Sequence, residues 1–502
     1  MKYGQFNVLG ATLRGVEALP VQVEVVVSSG LPSFNIVGMP DAAIQEARER
    51  IRAALRSCGY AMPADKVVVN LAPGSLRKSG SGFDLPIAAA LLAATGQVDP
   101  AHVQGRLLVG ELSLTGRVRP VPGLLAYALC ARQQGVAFVC APEFQPIEAL
   151  GSLSVLQADT LGAFRAPSLL PNTTRQAAEE PAGLDFKDIA GHEHAKRALQ
   201  IAAAGGHGVL MMGPPGSGKT MLAQRLPSIL PELSQREILE SAVVRSVAGE
   251  DASAVLAGVR PFRAPHHSAS MAGLVGGGHP LRPGEVTMAH NGVLFLDEVA
   301  EFKPSVLQGI RQPLEDGKVT ITRADGNVVF PARFSLVAAA NPCPCGFHGD
   351  ESRPCRCSEV QVRTYQNRIG GPLLDRIDIH IDVKRLPSDQ VLSTGEGVSS
   401  AELRQGVNAA REFAAARRAQ QPPESSGQEP GRQAALVAAC NMSAETRRFV
   451  EDAAARASMS GRGVMRTLSV ARTIADMEQQ ACVGLEHVAQ ALALRLHEGL
   501  DG

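Results

Sequence analysis

Apolar and polar positions alternate over the first 165 residues in a way that predicts strands interleaved with helices. Residues 21–25 have the two-residue period of a half-buried strand, and residues 41–57 repeat apolar positions at helical spacing. Longer apolar runs predict further strands at 66–71, 107–112 and 137–141 and a buried helix at 85–94. Strands and helices in this order predict a two-layer α/β domain over residues 1–165.

The pattern changes twice further along the chain. Residues 166–184 are polar and lack an apolar period after Leu170, which predicts a linker. Short all-apolar runs then predict buried strands at 209–212, 292–296 and 334–340, within a second α/β unit at 185–387. Helical periodicity dominates residues 388–502. The predicted helices lie at 401–420, after the N-cap candidate Ser443, and at 464–477 and 485–496, and a Pro/Ser/Gly-rich loop is predicted at 421–433.

Composition narrows the functional classes. The 502 residues exceed what one hydrophobic core holds, so two to four domains are expected. Lys plus Arg and Asp plus Glu both total 49, so any nucleic-acid surface must be local. The absence of Trp argues against a base-stacking platform. Without a membrane-length apolar run or a signal-peptide opening, we expect a cytoplasmic protein whose 9 cysteines are thiols or metal ligands.

One loop matches the phosphate-binding pattern G-x-x-x-x-G-K-[ST]. It comprises Gly213, Pro214, Pro215, Gly216, Ser217, Gly218, Lys219 and Thr220. The glycines let backbone N–H groups turn toward a phosphate chain, and the helix that follows presents its N-terminus to that anion. Lys219 would reach the outer phosphates, and the Thr220 hydroxyl would hold Mg²⁺. The alternative is a chance Gly/Pro-rich turn, against which the preceding strand and following helix argue.

Two downstream strand ends carry polar groups suited to nucleotide hydrolysis. The run at 292–298 ends in Asp297 and Glu298 and resembles a Walker B motif, in which Asp297 would hold the Mg²⁺ water shell and Glu298 would orient or deprotonate water. The run at 334–341 ends in Asn341 and resembles sensor 1, where Asn341 would position the same water. Acidic strand ends also occur on ordinary surfaces, but here they follow a matched phosphate loop.

Three other positions resemble nucleotide-contacting elements of AAA+ ATPases. Residues 185–191 would cover the adenine, with Ile189 and Gly191 lining the pocket, although an ordinary turn before a helix would look the same. Arg376, within a segment similar to the magnesium-chelatase-like branch, would reach the γ-phosphate of a neighbouring subunit. Its alternative is an ion pair with Asp375 or Asp378.

Arg462 lies at the position that resembles sensor 2 of an AAA+ lid, where it would touch the γ-phosphate of its own subunit. Arg466, one turn further, competes for that role, and a solvated arginine at a helix start is the third possibility.

Two insertions distinguish this core from a plain ATPase. Residues 262–290 hold four histidines together with Arg263 and Arg282, and residues 316–330 have the pattern of a β-hairpin. In relatives that move nucleic acid, both insertions project into the central pore of a ring, where Lys318 and Arg323 would lie. A solvated hairpin is the alternative, since Asp325 is close to Arg323.

Four cysteines form two C-x-C pairs: Cys343, Cys345, Cys355 and Cys357. Four thiolates at this spacing suit a structural, tetrahedral Zn²⁺ site, in which His348 could replace one ligand. Reduced free thiols and redox-active cysteines remain the alternatives.

The N-terminal domain resembles the catalytic domain of Lon proteases at residues 109–118 and at 80–84 with the apolar helix after them. In that alignment Gly82 occupies the position of the family's catalytic serine and Leu125 that of its lysine. Neither residue supplies the dyad's oxygen or amine, and Ser81 is one position away. The resemblance therefore implies the fold without the peptidase activity.

Taken together, these motifs resemble the ComM/YifB family of magnesium-chelatase-like AAA+ ATPases. That resemblance implies ATP and Mg²⁺ as cofactors and a homo-oligomer, a hexameric ring, that binds single-stranded or branched DNA. It implies an ATP-driven helicase that promotes branch migration during natural transformation. The competing hypotheses are a chelatase-type motor that remodels a protein partner without DNA, and a protease, against which Gly82 and Leu125 argue.

Overall fold

A mixed eight-stranded sheet frames the N-terminal domain in the computed structural model, which describes residues 4–165, 170–171, 183–278, 281–323, 326–350, 353–369, 371–374, 376–387, 397–420 and 432–495. Its strands are β1 (Gly4–Arg14), β2 (Glu17–Ser28), β3 (Ser33–Val37), β4 (Lys66–Ala72), β5 (Arg106–Leu108), β6 (Glu111–Leu112), β7 (Val118–Arg119), β8 (Ala137–Cys140), β9 (Val155–Gln157) and β10 (Leu170–Pro171). Its α-helices are α1 (Ala42–Ser57), α2 (Asp84–Ala94) and α3 (Leu124–Gln134). The sheet order is β10-β9-β8-β5-β1-β2-β4-β3, and β6 and β7 form a separate pair.

The strand expected at 107–112 is interrupted, so that prediction is wrong in its centre. β5 ends at Leu108 and β6 begins at Glu111. Between them the Gly110 N–H donates to the Gly82 carbonyl and the Gly110 carbonyl accepts from the Leu85 N–H, both at 3.0 Å. The backbone of Gly110 is therefore bonded to the turn before α2 rather than to a neighbouring strand of the large sheet.

A five-stranded parallel sheet, ordered β12-β15-β18-β11-β19, forms the second domain. Its elements are α4 (Glu193–Gly205), β11 (Val209–Met212), α5 (Lys219–Ile229), α6 (Gln235–Ala248), α7 (Ser253–Leu256), β12 (Phe262–Arg263), α8 (Met271–Val275), β13 (Gly276–Gly277), β14 (Arg282–Pro283), α9 (Glu285–Met288), β15 (Gly292–Leu296), α10 (Pro304–Asp316), β16 (Lys318–Arg323), β17 (Gly326–Pro331), β18 (Phe334–Ala340), α11 (Glu359–Gln366), α12 (Gly371–Leu374) and β19 (Ile379–Asp382). Because all pairings within this sheet are parallel, the carboxyl ends of β11, β15 and β18 meet at one edge. β16 and β17 form the hairpin that the sequence predicts.

Helices make up the C-terminal lid. They are α13 (Ser400–Ala419), α14 (Arg432–Cys440), α15 (Ala444–Arg456), α16 (Gly461–Met477) and α17 (Leu485–Ala493). The Ser443 side chain caps α15, as the sequence predicts. The sequence did not predict α14, and most of the loop expected at 421–433 lies outside the described residues. The same holds for most of the expected linker, although Leu170 and Pro171 pair with β9 and so belong to the first sheet.

Among the described residues, the N-terminal domain contacts the second domain at α3 and at the β1–β2 turn. At the start of α3, the Gly123 N–H donates to the Ser246 carbonyl at 2.7 Å and the Leu125 N–H to its hydroxyl at 3.2 Å. At the β1–β2 turn, Arg14 donates to the carbonyl of Asn327 on the hairpin at 3.3 Å. Gly15, at φ +66°, is so close that an added Cβ would lie 2.8 Å from the Val329 carbonyl oxygen.

None of the helices among the described residues combines the length and apolar character that crossing a bilayer requires.

Candidate nucleotide site

The predicted phosphate loop joins a fully buried strand to a helix with no acidic residue in its first turn. Gly216 and Gly218 have φ angles of +76° and +92°, which other residues adopt only with strain. A Cβ at Gly213 would collide with the carbonyl of Val383. The Ser217 hydroxyl is buried and has no hydrogen-bond partner among the described residues. These features fit a loop shaped to receive an anion at the N-terminus of α5.

Lys219 is held by neutral oxygens inside this loop. Its ammonium donates to the carbonyls of Gly213 at 2.7 Å and Pro214 at 3.0 Å, and to the Asn341 side-chain oxygen at 3.2 Å. Burial lowers the pKa of Lys219, while Asp297 and Glu298 oppose that shift. The contact with Asn341 places the two predicted residues together, although they are 122 positions apart in the chain.

Asp297 and Thr220 meet at the predicted magnesium position. The Thr220 hydroxyl donates to an Asp297 carboxylate oxygen at 3.0 Å, and the other carboxylate oxygen accepts from the Glu298 N–H at 3.0 Å. A hydroxyl next to a carboxylate, beside the phosphate loop, is a donor set that suits Mg²⁺. The residues present therefore fit both ATP and Mg²⁺.

Glu298 adopts a left-handed backbone, at φ +50°, two residues after the end of β15. Its carboxylate is 54% exposed and lies 3.7 Å from the His267 ring. Sequence reasoning noted the histidines of this insertion but did not connect His267 with Glu298. The contact depends on the parallel pairing of β12 with β15, which the sequence did not predict. This pairing brings the loop after Arg263 to the edge of the sheet where Glu298 lies.

The segment predicted to cover the adenine lies close to the phosphate loop. Ile189 is buried in the same hydrophobic cluster as Phe186, and Gly191 has φ +58°. His192, which sequence reasoning missed, also has a left-handed backbone, and its Nε2 lies 3.4 Å from where a Gly218 Cβ would be. Burial, reinforced by nearby Lys196, lowers the pKa of His192, which favours a neutral ring next to the loop.

Arg376 makes an ion pair within its own chain, but with a partner that the sequence did not suggest. Its Nε lies 2.6 Å from a carboxylate oxygen of Glu315 on α10. Asp378 instead pairs with Arg466 and His207, and Asp375 lies outside the described residues. The role of Arg376 toward a neighbouring subunit stays a prediction.

The two sensor 2 candidates differ in their surroundings. Arg466 donates to the Arg376 carbonyl at 2.7 Å and pairs with Asp378, so it joins the lid to the segment before β19. Arg462 is exposed in the first turn of α16. Its assignment as sensor 2 stays a prediction.

Family descriptions match three stretches: "Magnesium chelatase, subunit ChlI" at 185–391, "Subunit ChlI of Mg-chelatase" at 23–144, and "Magnesium chelatase, subunit ChlI C-terminal" at 397–495. The "Competence protein ComM" of Haemophilus influenzae is 41% identical over 493 residues, which cover 96% of this chain and 95% of that protein. The "Uncharacterized protein YifB" of Salmonella typhimurium is 41% identical over 490 residues, with the same coverage.

This chain belongs to the ComM/YifB family of magnesium-chelatase-like proteins. The chain is also similar in part to "Lon protease 2" of Bacillus subtilis, with 31% identity over 207 residues that cover 36% of each chain. The predicted fold class is thereby confirmed: an AAA+ α/β core with a helical lid, preceded by a Lon-like α/β domain.

In this ComM/YifB chain, apolar side chains surround the two positions aligned with the Lon dyad. A Cβ at Gly82 would lie 3.2 Å from the Val109 side chain and 3.6 Å from that of Val121. Leu125 is only 4% exposed, in a hydrophobic cluster that extends to Ala242 and Val243 of α6. Ser81, the nearby hydroxyl, bonds to Glu111. Gly82 is therefore packed within the N-terminal domain, and Leu125 is packed against α6 of the second domain.

The two insertions of the core contact each other. Arg323, on the hairpin, donates to the Gly278 carbonyl of the first insertion. Arg263 pairs with Glu285 at 2.6 Å and with Glu250 at 3.1 Å, which leaves Arg282 and Lys318 as exposed cations. Lys318 lies at the base of the hairpin opposite Pro331, and Asp325 lies outside the described residues.

The four predicted cysteines gather in one cluster. Their Sγ atoms all lie within 4.8 Å of one another, and the closest described pair, Cys343 and Cys345, is 3.3 Å apart. Backbone N–H groups of Arg356 and Phe347 lower the pKa of Cys345 to about 6. His348 contributes its N–H to Cys343, at 3.3 Å, and its ring is not in the described cluster.

The cysteine loop also touches the phosphate loop. A Cβ at Gly346, which has φ +83°, would lie 2.5 Å from the Pro215 side chain. The cluster begins two residues after Asn341, so it supports the same edge of the sheet that holds Lys219.

Proposed function

We propose that this protein is a cytoplasmic ATPase of ring-forming AAA+ type that moves DNA. The observation that carries the ATPase part is the convergence of Lys219, Thr220, Asp297 and Asn341 on one loop. The DNA part is supported by the insertions and by likeness to a relative named for competence. The finer proposal is branch migration of recombination intermediates during natural transformation.

For hydrolysis, Lys219 and the loop N–H groups bind and neutralise the phosphates, which keeps the γ-phosphoryl group in place. Thr220 and Asp297 would hold Mg²⁺, which would offset the charge that develops on the phosphate oxygens. Glu298 takes the proton of the attacking water, and Asn341 orients that water. The Glu298 carboxylate is exposed, so water can reach it.

We propose that two further arginines act on the γ-phosphate, one of them from a neighbouring subunit. Arg376 would stabilise transition-state charge in trans, and Arg462 would do so in cis, so that catalysis requires a ring, in our proposal a hexamer. The Glu315 partner holds Arg376 until a phosphate replaces it. We expect no peptidase activity, because the dyad positions are Gly82 and Leu125.

DNA-dependent hydrolysis tests the proposed function most directly. ATPase rate is measured with no DNA, with single-stranded DNA and with forked DNA, using Lys318→Ala and Arg282→Ala as variants and exposed Arg236→Ala as a matched control. We expect DNA to stimulate the wild type and the control and to stimulate the two variants less. An ATPase rate that no DNA changes would contradict the proposal.

A second candidate function has its own support. Magnesium-chelatase descriptions match all three segments of the chain, so a motor that remodels a protein partner without DNA is the alternative. ATPase activity that is indifferent to DNA, together with retained nucleotide-dependent ring formation, would favour that reading.

We also propose that the cysteine cluster binds one structural Zn²⁺ per chain, since sulfur atoms at tetrahedral zinc lie about 3.7 Å apart. The observed separations of 3.3, 3.7 and 3.6 Å fit that geometry. Elemental analysis of protein purified without chelators should find about one zinc per chain, and Cys343→Ser should lower it. Zinc near zero with four titratable thiols would refute this site.

A further inference from the structure

A cavity of about 520 Å³ lies where α4 of the core meets α13, α14 and α16 of the lid. We call it the lid cavity. Its walls are small residues that leave room, namely Ala204, Gly205, Ala410, Ala414 and Ala439. Its polar lining comes from four arginines, Arg411, Arg417, Arg418 and Arg472, with Asp476 and two hydroxyl side chains. Its lining includes no residue of the phosphate loop, and no part of the proposed ATPase mechanism uses it.

The lid cavity carries more positive than negative charge. Arg417 and Arg472 share the single carboxylate of Asp476, each at 3.1 Å. Arg411 donates to the carbonyls at the end of α4, and Arg418 to the Ala414 carbonyl, at 3.0 to 3.2 Å. Carbonyl oxygens satisfy hydrogen bonds without cancelling charge. Four guanidinium groups therefore line one cavity with one carboxylate.

Two of the arginines that line the lid cavity each keep one donor without a partner among the described residues. These donors are Nη1 of Arg417 and Nε of Arg472, and both are buried. The side chain of Arg472 is only 5% exposed, and that of Arg417 is 13% exposed. Burial lowers the pKa of Arg472, and the neighbouring Arg417 adds to that effect against Asp476. A buried donor without an acceptor destabilises the folded state, and an oxyanion toward which these side chains turned would supply the acceptor.

We propose that the lid cavity binds a small multivalent oxyanion of the phosphate class, with Arg417 and Arg418 as its principal ligands. Guanidinium groups recognise phosphate through parallel hydrogen bonds, and a dianion would offset the excess charge. Such an anion would bridge the α4 end of the core to lid helices α13 and α16. Free phosphate and the phosphate chain of a nucleotide share this chemistry.

Side-chain hydrogen bonds connect the lid cavity to the segment that carries Arg376. Thr473, in the cavity wall, contacts the His207 ring at 2.8 Å, and the other nitrogen of that ring contacts Asp378 at 3.2 Å. Asp378 in turn pairs with Arg466. Occupancy of the lid cavity should therefore tighten the lid against the core, which a rise in unfolding temperature would report.

The test uses full-length Lys219→Ala protein, so that the phosphate loop does not compete. Isothermal titration with pyrophosphate and, separately, with ATP is expected to give about one site per chain for at least one of them. Tighter binding of pyrophosphate identifies free phosphates as the ligand, and tighter binding of ATP identifies a nucleotide.

In that background, Arg418→Ala should weaken binding at least about tenfold, the effect of losing a charge-assisted hydrogen bond. Arg418→Lys should recover only part of it, and Arg236→Ala, an exposed arginine of α6, should change nothing. Arg417→Gln gives a second reading, and Arg418→Ala suffices if that variant fails to fold. Absence of binding for both ligands, or binding indifferent to Arg418→Ala, would overturn the proposal. Neither result bears on the DNA proposal.

Discussion

Two glycine-led turns of this chain lead into buried helices, and only one can receive a phosphate. The turn before α2 is followed by Asp84, a fully buried carboxylate that accepts from the Leu112 N–H and pairs with Arg50 at 2.6 Å. The turn before α5 is followed by Lys219 and Thr220, with no acid in the first helical turn. The first helix N-terminus already carries its anion, whereas the second is built for one that arrives from outside.

The comparison teaches that a shared strand–turn–helix outline does not decide function. What decides it is the charge within the first helical turn and the polar atoms at the ends of neighbouring strands. Around Gly82 those neighbours are Val109 and Val121, and around Gly213–Thr220 they are Asp297 and Asn341.

The largest expected effect concerns Arg376, the arginine that we propose acts on ATP bound at the phosphate loop of a neighbouring subunit. Arg376→Ala should leave ATP binding nearly intact and lower turnover by about a thousandfold or more, the range for arginines that act in trans. Glu315→Gln is the matched control: it removes the intrachain partner and should leave turnover largely unchanged.

Mixed rings sharpen this result. Combining Arg376→Ala chains with Lys219→Ala chains should partly restore ATPase, because some interfaces then pair both intact residues. If Glu315→Gln is as damaging as Arg376→Ala, and verified mixed rings show no recovery, Arg376 is a structural ion-pair residue.

Substitutions at Lys219 and at Glu298 should impair different steps of ATP hydrolysis. Lys219→Ala should lose ATP binding, since its ammonium is the buried cation among the loop carbonyls. Glu298→Gln should keep binding, trap ATP and lower turnover by about 10²- to 10⁴-fold, as for loss of a general base. Nucleotide binding and single-turnover rates separate the two. Equal loss of ATP affinity would contradict the assigned roles.

The turn before α2 should not become catalytic when the dyad residues are restored. Gly82→Ser with Leu125→Lys should yield no peptidase activity and should cost about 3 kcal/mol or more of unfolding free energy, because an ammonium would enter an apolar interface. Urea unfolding measures the cost. Leu114→Lys, at a leucine that is 63% exposed in the same domain, is the control and should be nearly neutral. Cleavage of an unfolded substrate by the double variant would break the comparison.

The smallest effect tests how the two domains touch. Gly15→Ala and Gly105→Ala both place a side chain on a left-handed backbone, at φ +66° and +68°. That backbone conformation alone should lower the free energy of unfolding by about 1–2 kcal/mol in each variant. Only Gly15 faces the Val329 carbonyl, and nothing lies within 4 Å of a Cβ at Gly105. The excess cost at Gly15, about 1 kcal/mol by thermal unfolding, measures the contact. Equal costs would mean that the hairpin yields freely.

Local patterns in the sequence predicted much of this molecule. The phosphate loop, the buried strands before Asp297 and Asn341, and the cap at Ser443 all depend on neighbours within a few residues. Partners distant in sequence were the ones that reasoning missed. Glu315 is 61 residues from Arg376, and nothing in either local pattern couples them. His267 reaches Glu298 only because β12 pairs beside β15.

The break at Gly110 has the same physical origin. An apolar run predicts a continuous strand, but it cannot say that two backbone groups will bond to the turn at Gly82 instead. The cysteine cluster was predictable from spacing, whereas its contact with Pro215 required the folded loop.

Gly15 and Val329 are more than 300 positions apart in the chain, yet they are in close contact. We therefore expect the β1–β2 turn and the hairpin to evolve together. A larger residue at the turn is admissible only if the hairpin backbone recedes, and a displaced hairpin leaves the turn unsupported. Among homologous chains, substitutions at 14–16 should therefore covary with those at 327–329. A hairpin transplanted from a relative should also function best when it is accompanied by that relative's β1–β2 turn.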